Sequence, residues 1–578
     1  MSWKIIQRYR YILEEERGTI RKDWGGRLAI ALAYPNRYHL AMSNLGFQTI
    51  YTVLNSFDHV VCERVFLPDP EDMEEYQRTN TPLMSLESQK PLQDFQIVAF
   101  SISFENDCIN VLKILEMANI PLMSEDRGEN HPLIMAGGVV TFLNPEPLSP
   151  FIDLFIIGEG EEILGEFLRI LNHCLEKGLG RMERLEYLGK EVEGIYIPQF
   201  YEVGYDSQGR IKYFQPKGGL PDKIKSGRLK EVDKYITQTQ ILTAHTEFSN
   251  MFLIEIGRGC THGCRFCAAG FIYRPPRMRD WYRLKDMALK NMHKTLKIGL
   301  VGAAVSDLPN IPTLCQSITC RGGKVSLSSL RADTLTKELL EAIKEGNSRA
   351  IAIAPDAGSE RLRCVINKGI TEQDIIEAVC MLVEGDIDTI KLYFMIGLPT
   401  ETNRDVEAII SLSKRLKHHI LSSSKGKRIA NLSLSVNSFI PKPFTPFQWV
   451  PFERVKLLKE KMRLIRKGLK GERKIQVTFD LPKWAYIQAL LSRGDRNVGK
   501  ILMAAHKLNG NWKEAYKIVN VNPDFYVYRK RDFDELLPWD FIDHGIKKGY
   551  LIEEYKKAME CKTTPICQPE SCQRCGVC

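Results

Sequence analysis

Three cysteines, Cys260, Cys264 and Cys267, fall within eight residues in the segment Glu255-Ile256-Gly257-Arg258-Gly259-Cys260-Thr261-His262-Gly263-Cys264-Arg265-Phe266-Cys267. Only a chain wrapped into a loop brings thiols spaced this way onto one centre. Thiolates are soft ligands suited to iron, and a cubane [4Fe-4S] cluster normally takes four of them. A loop that offers three leaves one iron open to a chelating small molecule, which makes the arrangement catalytic. Zinc is the alternative, and it calls for a fourth ligand close by, such as His262.

A second set of thiols stands in the last residues, where Cys567, Cys572, Cys575 and Cys578 follow a Cys-x4-Cys-x2-Cys-x2-Cys spacing. Four thiolates close around one metal centre, and a second [4Fe-4S] cluster and a structural zinc both satisfy them. Disulfides are disfavoured in a reducing compartment. The other eight of the fifteen cysteines lack ligand spacing and read as ordinary core or surface thiols.

The Cys-x3-Cys-x2-Cys pattern, with aromatic Phe266 before the last cysteine, resembles the signature of the radical S-adenosylmethionine (SAM) superfamily over about residues 246–442. The resemblance implies a [4Fe-4S] cluster on Cys260, Cys264 and Cys267 whose open iron takes the amino and carboxylate groups of SAM. It also implies an electron donor such as flavodoxin or ferredoxin. Val301-Gly302-Ala303-Ala304 is similar to the family's Gly-Gly-Glu segment at the SAM amino group. The acid is missing at Ala304, so contact falls to the backbone of Gly302 and Ala303. Ser328-Ser329-Leu330-Arg331 resembles the segment at the SAM ribose and carboxylate, and the bidentate donors of Arg331 suit a carboxylate. The run from Asp356 through Glu360 to Asn367-Lys368-Gly369 resembles the fourth-strand motif of the methylthiotransferases, with Glu360 as a SAM contact or as a first-turn acid of a helix. Gly397-Leu398-Pro399 resembles the turn under the adenine.

These loops need strands to present them. Apolar runs at 252–256, 297–301, 325–328, 350–354, 389–396 and 431–436 alternate with helix-compatible stretches. Six such units predict a partial (β/α)6 barrel over 246–450, with every motif on a loop leaving a strand's carboxyl end. Upstream, short strands alternate with helices and end in polar or glycine turns such as Gly137-Gly138 and Gly158-Glu159-Gly160-Glu161. That rhythm predicts an α/β fold with a doubly wound, flavodoxin-like domain over 1–180, which binds ligands at its strands' carboxyl ends. A linker with a small strand pair around Asp206-Ser207-Gln208-Gly209 occupies 181–245, and a mainly α extension with the Cys-rich tail occupies 451–578. A doubly wound domain before a radical SAM barrel is similar to a cobalamin-binding domain, so cobalamin is a candidate cofactor. The Asp-x-His-x-x-Gly motif that ligates cobalt is absent.

The 578 residues, 44% hydrophobic and 26% charged, exceed one core, and no apolar run reaches the length that crosses a bilayer. A cytoplasmic protein with no membrane partner is expected. The net charge of +9 permits a nucleic-acid partner without requiring one. Its densest basic stretch, 454–474, reads as an amphipathic helix whose basic face is either solvated or suited to RNA or a ribosomal substrate. The expected activity is reductive cleavage of SAM, leading to methyl transfer or RNA or protein modification. The alternative, an iron–sulfur redox or sensing adaptor without SAM cleavage, draws its main support from the acid missing at Ala304.

Overall fold

A computed structural model describes residues 2–328, 330–345, 349–423 and 430–578; Ser329 of the third-strand turn lies outside them. The first sheet holds β1 (Leu28–Tyr34), β2 (Val60–Phe66), β3 (Ile97–Ser101), β4 (Leu133–Gly137), β5 (Leu154–Ile156) and β6 (Ile195–Tyr196). Their order is β2-β1-β3-β4-β5-β6, parallel except for β6. Every residue of β2 is buried, as expected of a sheet covered on both faces. Its one costly residue, Arg64, has no exposed side chain and is paired at 2.6 Å with both Glu16 and Glu87. The order reverses direction between β1 and β3, which opens a crevice at their carboxyl ends. The sheet's last strand comes from the segment assigned to the linker, which continues as the antiparallel pair β7 (Tyr201–Tyr205) and β8 (Ile211–Pro216) and the short β9 (Ile224–Lys225).

The second half is built on β10 (Phe252–Glu255), β13 (Lys297–Val301), β14 (Lys324–Leu327), β15 (Ala350–Asp356), β16 (Thr389–Ile396) and β17 (Asn431–Ser438), close to the six expected strands. Between β10 and β13 a small antiparallel pair, β11 (Gly257–Arg258) and β12 (Arg277–Met278), frames the cysteine loop. A seventh strand, β18 (Ile475–Phe479), follows the basic helix Val455–Gly468 and pairs parallel with β17. The sheets β10-β13-β14 and β15-β16-β17-β18 meet at one parallel bridge, Leu330 with Ile353. No pairing joins β18 to β10 among the described residues, so the barrel is open. The free edge of β10 is covered instead by the segment 237–239, through Thr239 N to Leu253 O and Glu255 N to Thr237 O.

The C-terminal extension is mainly helical and folds back over both halves. Its β19 (Ile542–Asp543) pairs with β9. Phe541 stacks on Phe214 at 4.4 Å and lies 4.4 Å from Tyr196, a close aromatic contact between the extension and the first sheet. Beside it His544 is fully enclosed: its Nε2 donates to Phe142 O at 2.9 Å and Nδ1 has no partner among the described residues. Burial pulls its pKa down to about 4. The folded chain therefore keeps this imidazole neutral, while the unfolded chain takes up a proton near pH 6.5. The unfolded state binds more protons between those values, so stability falls as pH drops from 6.5 toward 4, by about 3 kcal/mol from this group. A denaturation series across that window should show a shallower slope for His544→Asn than for the wild type.

Candidate functional site

The cysteine loop runs between β11 and β12. Gly259, with φ +82°, makes the turn into it, and a Cβ there would stand 2.6 Å from Tyr273 O. The loop is pinned from several sides. His262 Nε2 lies 2.7 Å from Asp307 on the loop after β13. Asn367 donates to Gly263 O at 3.2 Å. Arg265, with no exposure, donates to Val365 O at 2.9 Å and Lys562 O at 2.7 Å and pairs with Glu554 at 3.1 Å.

Cys264 is buried, and Cys260 and Cys267 are half-buried. Burial pushes the Cys260 thiol up to about 11 and Cys264 to about 12, and raises Cys267; Cys267 also acts electrostatically on both of the others, which makes the three neighbours. Lys368 and Arg331 pull the other way at Cys264. Without iron the three thiols are protonated; a bound cation reverses that preference. Among the described residues no three Cys, His, Asp or Glu side chains converge on a point suited to a bare metal ion. A cubane takes its thiolates at separate iron corners, so a set of neighbouring thiols fits its donor chemistry without converging.

The expected SAM contacts divide. Gly302 and Ala303 line a cavity at the loop's side, and Ser328 Oγ donates to Gly302 O at 3.2 Å, tying the second and third turns together. Phe266 is half-buried against the core. Arg331 faces the thiols, but its Nε and Nη2 are held by Asp333 at 3.0 and 2.8 Å, and Nη2 also by Lys368 O at 3.0 Å. Glu360 stands elsewhere: its carboxylate is 64% exposed, and it accepts from Glu372 N at 2.9 Å as an acid at helix starts. The helix Glu360–Val365 turns it outward. In its place the fourth strand presents Asp356, which pairs with Lys368 at 2.5 Å beside Cys264. Asp356 has φ +64°, a conformation that a non-glycine residue holds only when its surroundings fix it. Both residues lie in the quoted motif; backbone strain and side-chain direction, which distinguish them from Glu360, are invisible in the sequence.

The cavity, about 480 Å³, opens between the two halves. Its floor is the carboxyl edge of the first sheet, with Leu32, Ala99, Met135 and the turns Gly137-Gly138 and Gly158-Glu159-Gly160; its far wall is Gly257, Arg258, Gly259, Gly302 and Ala303. An ion-pair network spans the seam. Glu159 takes Arg277 through two bonds at 2.7 and 2.8 Å, and Glu161 takes Arg258 at 2.5 Å. Glu255 accepts from Arg258 at 3.1 Å and Arg279 at 2.8 Å. The glycine turn legible in the sequence thus carries the acids that fix one half on the other. In the tail, Cys567 and Cys575 are buried, Cys572 is half-buried and Cys578 is exposed. Cys567 and Cys572 interact electrostatically, Cys575 and Cys572 both act electrostatically on Cys578, and Cys567 N donates to Thr261 O of the cysteine loop at 2.9 Å.

The family of radical SAM N-terminal domains matches residues 46–198, and the radical SAM superfamily matches residues 254–413. The uncharacterised protein MJ0966 of Methanocaldococcus jannaschii is 32% identical over 480 residues, 82% of this chain and 90% of that protein. The uncharacterised methyltransferase PH0819 of Pyrococcus horikoshii is 23% identical over 313 residues, 51% of this chain and 60% of that protein. The structure of TsrM, a radical SAM methyltransferase from Kitasatospora setae with cobalamin and a [4Fe-4S] cluster bound, aligns with a TM-score of 0.46 at 13% identity, over 85% of this chain and 98% of that one. The chain belongs to the radical SAM superfamily. It is a radical SAM enzyme, and its cofactors include a [4Fe-4S] cluster and SAM.

The seam makes its own prediction. Glu159→Gln leaves the buried Arg277 guanidinium facing a neutral amide, and breaking a buried pair costs about 3–5 kcal/mol. Thermal unfolding should show a clear drop in Tm, and limited proteolysis should cut faster between the two halves.

Proposed function

We propose that Cys260, Cys264 and Cys267 hold the cluster, that SAM sits against Gly302, Ala303 and Ser328, and that the radical chemistry takes place in the cavity between the halves. The observation that carries this reading is the shared lining: Gly259 and Gly302-Ala303 border the same 480 Å³ space as the turns of the first sheet. Held by Cys260, Cys264 and Cys267, a [4Fe-4S] cluster would supply one-electron reductive cleavage of SAM, and with it hydrogen abstraction from an unactivated C–H bond.

The chain's own residues do the rest. Arg331 and Lys368 set positive charge beside Cys264 and offset the anionic thiolates. Asp356 and Asp333 orient those two cations. The apolar floor of Leu32, Ala99 and Met135 keeps water from a radical and favours a substrate or second cofactor with an extended apolar face. Cobalamin meets that description. It would rest on the turns Gly137-Gly138 and Gly158-Glu159-Gly160 and supply a methyl group for transfer; the lining has no histidine among the described residues, so no imidazole from this wall would ligate cobalt. The exposed Lys456, Lys459, Arg463 and Lys467 of the helix Val455–Gly468 favour an RNA or ribosomal substrate, and a small electron-transfer protein such as flavodoxin or ferredoxin supplies the electron.

The test is anaerobic reconstitution with iron and sulfide, followed by measurement of 5'-deoxyadenosine formed from SAM under dithionite. The wild type should form it, with about eight irons per chain if both thiol sets hold clusters. Cys264→Ala should fall to background while retaining the tail's metal. A wild type that yields no 5'-deoxyadenosine and no spectral response to SAM would overturn the site. Cobalamin retained after loading and desalting would direct the substrate search to methylation.

A further inference from the structure

The two thiol sets are about three hundred residues apart in the sequence, yet the fold puts them in contact. Cys567 N donates to Thr261 O at 2.9 Å, and Thr261 follows Cys260 directly. From the Cys260 sulfur to the Cys567 sulfur the path is therefore backbone and side-chain bonds interrupted by a single hydrogen bond. The junction is heavily fixed. Thr564 and Asn367 exchange hydrogen bonds at 2.8 and 3.2 Å, and the same Asn367 amide reaches Gly263 O. Thr564 Oγ1 also donates to Glu554 at 2.7 Å, the acid that pairs with Arg265. Arg274, on the far arm of the cysteine loop, hydrogen-bonds Tyr550 at 3.2 Å and interacts electrostatically with Cys575.

The tail set is also polarised. Its buried members, Cys567 and Cys575, touch the cysteine loop, while half-buried Cys572 and exposed Cys578 stand toward solvent. Around that outer side lie the exposed Arg574 and Lys547 and the 55% exposed Ile566. Arg574 Nε reaches Cys572 Sγ at 3.2 Å, and Lys547 N takes Cys575 O at 3.0 Å. A structural clasp has no need for thiols graded from surface to loop, nor for a cationic rim with an apolar spot.

We propose that the tail is the electron-entry port of this enzyme: a small, acidic, one-electron carrier protein docks at the Arg574 and Lys547 rim and reduces an iron–sulfur centre on Cys567, Cys572, Cys575 and Cys578, from which the electron crosses the Cys567–Thr261 hydrogen bond to the loop of Cys260, Cys264 and Cys267. Each transfer moves one electron; the carrier is oxidised by one unit and the loop centre reduced by one, with no bond made or broken before SAM is cleaved. The inference rests on the proposed loop site.

Freeze-quench EPR of the reconstituted full-length protein, mixed with a reduced flavodoxin or ferredoxin, tests it. SAM addition identifies the loop signal, because only a centre with an open iron shifts. The tail signal should appear first and the loop signal should grow as the tail signal is reoxidised. Cys572→Ser should slow carrier-driven appearance of the loop signal at least ten-fold. Lys547→Glu, which keeps every thiol, should slow it several-fold and weaken its dependence on salt. A loop signal that rises with no earlier tail signal, equal rates in both variants, or zinc in the tail of the anaerobically isolated protein would overturn the proposal. The loop site is judged apart from this by 5'-deoxyadenosine formed with dithionite, which reduces the loop without a carrier.

Discussion

A guanidinium with no exposure to solvent sits between two thiols of the cysteine loop, and much of the site's geometry depends on it. Arg265 gives its donors to carbonyls of the helix Glu360–Val365 and of the tail and pairs with Glu554 of the helix Lys548–Met559. Burying a charge costs several kcal/mol unless it is paired and fully hydrogen-bonded, so the arrangement tolerates little displacement of any partner. The reward is positional: a loop with almost no regular structure of its own is held at a fixed place by three distant parts of the chain.

The same logic repeats at the seam. The open barrel leaves β10 with a free edge, which the segment 237–239 covers, and the first sheet is fixed across the gap by Glu159 and Glu161 on Arg277 and Arg258. Arg258 lies two residues before Cys260, so the bond that fixes the halves also sets the start of the cysteine loop. The cavity exists because two carboxyl strand edges face one another across this network. Its apolar floor follows from the first sheet being covered on both faces, which makes its central strands predominantly apolar, as at Leu32, Ala99 and Met135.

The thiols illustrate how environment decides chemistry. Cys260 and Cys264 are disfavoured as thiolates by burial, whereas Cys572, nearer solvent and beside Arg574, is shifted down. Identical residue types thus stand in different electrostatic surroundings at the loop and in the tail. The loop set is buried or half-buried, whereas the tail set runs from buried Cys567 and Cys575 to exposed Cys578.

Much of this was legible in the residues. Cysteine spacing announced the loop and the tail, and alternating apolar runs announced two α/β halves, because ligand geometry and strand burial both act over short stretches of chain. The seventh strand was hidden behind a basic helix that reads the same whether it is an appendage or a barrel unit. Glu360, open between a SAM contact and a first-turn acid, stands as the acid for a related reason: a motif names the residues of a turn but not which of them points inward, and backbone conformation turned Asp356 and Lys368 to the thiols and Glu360 to solvent. The sequence by itself determined what chemistry the chain can perform, since that depends on residue type and local spacing. Only the tertiary structure decided that the tail thiols lie one hydrogen bond from the cysteine loop and that both halves share one cavity, because those facts rest on contacts between residues hundreds of positions apart.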